Sequence, residues 1–149
     1  MHKNKGLVLS KIEGFTLIEL LVVIAIIGIL SGIVLTSLGT ARNKAKDAAI
    51  KSQLSSLRTQ AEIYYDGSAS YGTAGAACNT ASSMWADTGV VDIVTKIGTD
   101  GGTMSCNNST TAWAAYSDLI SSTDYFCVDS NGSAKQTTSA PTITDQACD

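Results

Sequence analysis

The residues best equipped for chemistry fall into two groups, far apart in the chain. Gly14, Phe15 and Glu19 stand at the start of a long apolar run, and four cysteines (Cys78, Cys106, Cys127, Cys148) lie in the polar part beyond it. Glu19 is a carboxylate in a stretch that is otherwise uncharged as far as Leu38. An acidic side chain costs roughly 2.5–3.5 kcal/mol near the centre of a membrane helix and less near its end, so Glu19 either snorkels to the interface or has a partner. The cysteines are even in number, widely spaced and without a CxxC pair, which suggests disulfides formed in an oxidising compartment.

Catalysis has little foothold. The single histidine is His2, so beyond residue 14 there is none for a Ser-His-Asp, Cys-His or His-metal site, and the cysteine spacing matches no zinc module. No phosphate-cradling glycine loop is present. Asp129-Ser130-Asn131-Gly132 begins like a calcium loop but lacks the downstream bidentate glutamate, and a hairpin turn explains it better. The expectation is a protein that is not an enzyme and holds no cofactor or metal.

The elements that must position these residues begin with the apolar run. Leu20 to Leu38 is 19 residues without a charge, enough to cross a hydrocarbon core of about 30 Å as a helix. The remaining chain is too small and polar to enclose such a helix. Lys3, Lys5 and Lys11 precede the run, and Arg42, Lys44, Lys46 and Lys51 come after it, so the positive-inside rule is close to a tie. The cysteines break the tie by putting the C-terminal part outside the cytosol. The formal charge of −3 divides into +2 over residues 1–14 and −5 over residues 15–149, so the distal part disfavours nucleic acid as a partner.

Residues 14–30 read GFTLIELLVVIAIIGIL. This closely resembles the class III signal of type IV prepilins and type II secretion pseudopilins. Gly14, Phe15, Thr16, Leu17, Ile18 and Glu19 match the family pattern residue by residue, and the resemblance covers about residues 1–66 strongly. It implies cleavage between Gly14 and Phe15 by a membrane prepilin peptidase and N-methylation of Phe15. It further implies filament assembly through Glu19 and the helix behind it. The organisation expected is a cytosolic leader over 1–14, a transmembrane and filament-core helix over 15–38, an amphipathic helix over 39–66 and a disulfide-bonded head over 67–149. Unlike many relatives the anchor has no proline, and Gly28, Gly32 and Gly39 are its only weak points.

After Gly39, Ile50, Leu54, Leu57, Ala61 and Tyr64 recur at helical spacing as one apolar stripe. Asp47 and Lys51 are spaced as an i,i+4 pair on the other side. Asp66-Gly67 is expected to end the helix, and residues 67–111 read as loop with one ambiguous apolar stretch, Val90–Val94. Strands are expected at Thr111–Leu119, Asp124–Asp129 and Ser133–Thr137, the last two joined by a type I′ turn at Asn131-Gly132. The fold class is α+β, a long N-terminal helix on a small antiparallel sheet, the layout of pilin heads. Four cysteines allow three connectivities. Sequential pairing, Cys78–Cys106 and Cys127–Cys148, would pin the C-terminal tail to a strand as the terminal disulfide of many type IV pilins does, each bridge stabilising by about 3 kcal/mol. Asn107, Asn108 and Asn131 begin N-x-S/T sequons and are expected to be exposed.

The function this implies is a structural subunit of a pilus or pilus-like filament. Its alternatives are a minor pilin or secretion pseudopilin serving as tip adhesin, DNA-uptake or secretion component. The partners implied are other copies of the chain in a helical filament, the prepilin peptidase, an inner-membrane assembly platform, and lipid before assembly. The locations implied are the cytoplasmic membrane first, as a single-pass chain with its N-terminus inside, and the cell surface after assembly.

Overall fold

The computed structural model describes residues 14–148; apart from Gly14, the leader expected at residues 1–14 lies outside them. The chain divides into two compact units, one up to Leu38 and one from Gly39. A single helix, α1 (Leu17–Ser68), supplies the described part of the first and opens the second. It runs unbroken through Gly28, Gly32 and Gly39, because a glycine weakens a helix by only about 1 kcal/mol. In the first unit every described side chain is exposed, Leu17, Ile18 and Leu20 onward included. This part of α1 is long and apolar enough to cross a membrane.

In the second unit the periodic stripe of α1 becomes the core. Ile50, Leu54, Leu57 and Ala61 are fully buried, each large one worth roughly 1.5–3 kcal/mol of burial. They pack with Met84, Trp85, Val90, Ile97, Trp113 and Val128. Over them lies a four-stranded antiparallel meander, ordered as in sequence: β1 (Met104–Asn108), β2 (Trp113–Asp118), β3 (Tyr125–Asp129) and β4 (Ala134–Thr137). The α+β class expected from sequence is the class found.

Two elements differ from expectation. Val90–Val94 belongs to a helix, α2 (Thr88–Asp100), within the stretch read as loop. The Asp87 carboxylate caps its start by accepting from Gly89 N at 2.9 Å, and Val90, Ile93 and Ile97 form its buried face. Gly101 ends it with φ 101°, a left-handed conformation that lets Gly101 N and Gly102 N reach back to the carbonyls of Gly98 and Ile97. The sheet also has a fourth strand, β1, whose sequence MSCNN alternates over only four residues and ends in two asparagines, a residue type depleted in strands. Tertiary contacts hold it in place, with Cys106 tied to Cys78 and the buried Asn108 fastened to the loop after α1. Asn108 Nδ2 donates to the Tyr71 and Thr73 carbonyls, Asn108 Oδ1 accepts from Trp85 Nε1 at 2.9 Å, and its backbone pairs with Gly75.

Smaller corrections have the same logic. The β3–β4 connection is not type I′, which needs two left-handed residues, because only Gly132 has positive φ (98°) there. The buried Asp129 organises it by accepting from Asn131 N and Ser133 N through one oxygen and from Cys148 N through the other. Helix α1 continues to Ser68, two residues beyond Asp66.

Nor do Asp47 and Lys51 pair. Asp47 is buried and accepts from Ile120 N, Ser121 N and the Ser121 hydroxyl, fastening the β2–β3 loop to α1. Lys51 instead donates to Gln136 Oε1 at 2.7 Å and sits over the Phe126 ring. Replacing Asp47 with alanine leaves those donors without their acceptor, at a cost of about 1–3 kcal/mol. Urea denaturation of the detergent-solubilised chain, monitored by the fluorescence of buried Trp85 and Trp113, should show D47A unfolding at lower denaturant; an unchanged midpoint would show that the clamp contributes nothing.

Candidate functional site

Gly14 and Phe15 precede the first helical residue and are exposed, Phe15 with 74% of its surface free. Thr16 is the N-cap of α1 and Glu19 stands at its third helical position. Glu19 Oε2 accepts from Thr16 N at 2.8 Å and from the Thr16 hydroxyl, and Glu19 N donates back to Thr16 Oγ1 at 3.4 Å. This is a reciprocal capping box, in which two otherwise orphaned backbone donors at the helix start are satisfied by side chains. The Thr-x-x-Glu spacing before an apolar run is its sequence signature, and it makes Thr16 the hydrogen-bond partner of Glu19, a pairing not expected from the motif match alone.

The arrangement has chemical content. An apolar helix in lipid has no water to satisfy its first N–H groups, so a side-chain acceptor there is worth more than in solution. A negative carboxylate at that end also meets the positive pole of the helix dipole. Glu19 is thus held in place by its own chain, against the backbone nitrogen one residue after Phe15.

The other residues singled out from sequence lie in the second unit. Its sulfurs pair as Cys78–Cys106 and Cys127–Cys148. The first joins the loop after α1 to β1, and the second joins β3 to the C-terminal tail. Of the three sequon asparagines only Asn131 is exposed; Asn107 is half-buried with its amide on the Ile143 carbonyl, and Asn108 is buried. Among the described residues no three His, Cys, Asp or Glu side chains converge as a metal site.

Comparison with known proteins bears on the N-terminal segment. Residues 9–35 match the family described as the prokaryotic N-terminal methylation motif. Over 59 residues the chain is 42% identical to the type IV wide pilus major component PilA4 of Thermus thermophilus, a match covering 40% of this chain and 45% of that protein. The N-terminal segment of the chain is thus similar to that of type IV pilins, and the chain spans less than half the length of that relative. No solved structure matches the chain. The long N-terminal helix with a small antiparallel sheet is consistent with the pilin architecture, and the matched motif contains the whole Thr16–Glu19 capping box.

The second unit carries one displaced acid. Burial, helped by the Glu62 carboxylate that accepts its hydroxyl at 2.8 Å, pushes the Tyr71 phenol up from 10.0 to about 12, while the neighbouring Trp113 works the other way. The neutral phenol is therefore favoured by folding. That contribution is complete below pH 10.0 and is lost as pH rises towards about 12. Absorbance titration at alkaline pH should show a late phenolate component that Y71F abolishes, and Y71F should lose stability less steeply than the parent chain over the same window. An unchanged titration curve in Y71F would refute the assignment.

Proposed function

We propose that this chain is a structural subunit of a type IV pilus or pilus-like filament, processed at its N-terminus and assembled through α1. The observation that carries the proposal is the pairing of a fully exposed apolar helix with a capped carboxylate at its start. An apolar surface of that length is stable only against lipid or against other such helices. Lipid covers it while the chain is a single-pass membrane protein, and the helices of other copies cover it in the filament. In this reading residues 1–14 are the cytosolic leader, 15–38 the anchor and filament core, 39–66 the amphipathic half of the helix, and 67–149 the head at the filament surface. The membrane prepilin peptidase cuts between Gly14 and Phe15, Phe15 is N-methylated, and an inner-membrane platform performs assembly.

Cleavage changes the electrostatics at Glu19. In the precursor the nitrogen of Phe15 is an amide; after cleavage it is an ammonium ion, and methylation leaves that charge in place. The capping box keeps the Glu19 carboxylate at Thr16, next in sequence to that ammonium. When helices pack, Glu19 pairs with the Phe15 amine of its own chain or of a neighbour. Two unit charges about 4 Å apart attract by roughly 4 kcal/mol at an effective dielectric near 20, which offsets burial of the carboxylate and fixes axial register. Apolar side chains alone would leave the helices free to slide, since lipid and helix are equally apolar.

Intact-mass analysis of membrane-extracted protein should give a mature chain beginning with N-methylated Phe15. A chain beginning near Ser37 would mean ordinary signal-peptide removal and end the proposal.

The role of Glu19 is tested by two substitutions in cells carrying no other copy. Glutamine keeps the hydrogen-bonding of a capping box without the charge. Both E19A and E19Q should insert and be cleaved, and both should be lost from sheared filaments. Wild-type filament yield from E19Q would show that the cap, rather than the charge, is what assembly requires.

A further inference from the structure

The basic residues between 42 and 58 look like one cluster in sequence, and the structure divides them in two. Lys51 is held against the sheet by Gln136 and the Phe126 ring, and Arg58 lies beside the β3–β4 turn at Gly132. Arg42 and Lys44 are exposed, Lys46 is half-exposed, and none of the three has a hydrogen-bond or ion-pair partner among the described residues. The one ion pair among those residues, Lys96–Asp92, lies elsewhere, on α2. The acid that would neutralise the trio is Asp47, and it faces inward, engaged by Ile120 and Ser121. No other acidic residue occurs between Glu19 and Glu62. Three positive charges with no ion-pair partner among the described residues therefore fall within five positions of α1, Arg42 and Lys46 on one face and Lys44 on the opposite one.

We propose that Arg42, Lys44 and Lys46 form a contact surface for the phosphate groups of anionic phospholipids, used while the chain is in the membrane. The proposal rests on the anchor reading above. Along α1, Arg42 lies four positions past the last apolar residue of the run, Leu38, and Lys46 lies eight positions past it. At about 1.5 Å per residue these are roughly 6–12 Å beyond the run. The headgroup layer occupies about 5–8 Å on each side of the hydrocarbon, and long basic side chains bend back towards it. The phosphates are thus within reach of all three residues in every inserted chain, before any neighbour is bound. A basic side chain near an anionic surface is worth about a fivefold preference, so three support a preference of about tenfold even after partial screening.

The test uses the full chain in detergent micelles, supplied with phosphatidylglycerol or phosphatidylcholine of matched acyl chains, with bound lipid counted by native mass spectrometry. The parent chain should retain phosphatidylglycerol about tenfold over phosphatidylcholine. R42Q/K44Q/K46Q should lose that preference, and K96Q/K135Q, which removes positive charge from elsewhere on the head, should keep it. Equal retention of the two lipids by the parent chain overturns the proposal. So does a preference that survives in the triple variant. If that variant keeps the preference yet no longer enters filaments, the trio serves contacts between copies instead. Flotation with neutral phosphatidylcholine vesicles reads the anchor separately. A chain that does not float overturns the anchor reading, whereas one that floats without preferring phosphatidylglycerol overturns the lipid contact alone.

Discussion

Everything in the head depends on the burial of one helical stripe. Ile50, Leu54, Leu57 and Ala61 present an apolar face that α1 cannot satisfy alone, and the meander and α2 exist to cover it. A meander is the simplest sheet for that task, since each strand returns beside the one before it and no crossover is needed. The opposite requirement holds for the residues before Gly39. There the apolar surface goes all the way round the helix, as suits a segment covered by lipid or by other helices rather than by its own chain. A single helix thus carries two different apolar patterns, one for a core within the chain and one for surroundings outside it.

The two acids that bracket the junction of these patterns share a mode of action. Glu19 and Asp47 both accept hydrogen bonds from backbone N–H groups, one at a helix start and the other at a loop. Neither is in an ion pair among the described residues. A carboxylate that holds main-chain donors fixes geometry more tightly than one facing a flexible lysine, and it is screened less by salt. The consequence at Asp47 is that the β2–β3 loop cannot move independently of α1, and the positive charges around Asp47 are left without a local counter-charge.

Sequence made the helix, its stripe, the turn regions and the aromatic strands legible because each depends on local periodicity or local turn chemistry. Trp113, Tyr116, Tyr125 and Phe126 announce β2 and β3 by composition. What it concealed depends on distant partners. β1 is held as a strand by Cys78, Gly75 and Trp85, and the brief alternation in Met104–Asn107 is too short to announce it. α2 was legible in principle, through the Asp87 cap and the Gly101 stop, but its valines and isoleucines favour strand and its length was obscured by the surrounding Gly, Ser and Thr. At the N-terminus Thr16 was read only as part of the motif, and its bond to Glu19 was legible in the capping-box spacing. Asp47 shows the opposite error, a plausible i,i+4 ion pair displaced by stronger backbone donors contributed from far along the chain.

The order of the disulfides bears on how the head could be made. The cysteines pair in chain order, the first with the second and the third with the fourth: Cys78 to Cys106 and Cys127 to Cys148. If the chain threads outward behind an N-terminal anchor, Cys78 and Cys106 emerge before Cys127. An oxidant that joins thiols in order of appearance would form the native bridges without ever making a wrong one. The head could then mature without disulfide isomerisation, a step that takes minutes to hours when uncatalysed. Its rate of production would be set by synthesis and thiol oxidation, with no reshuffling to wait for.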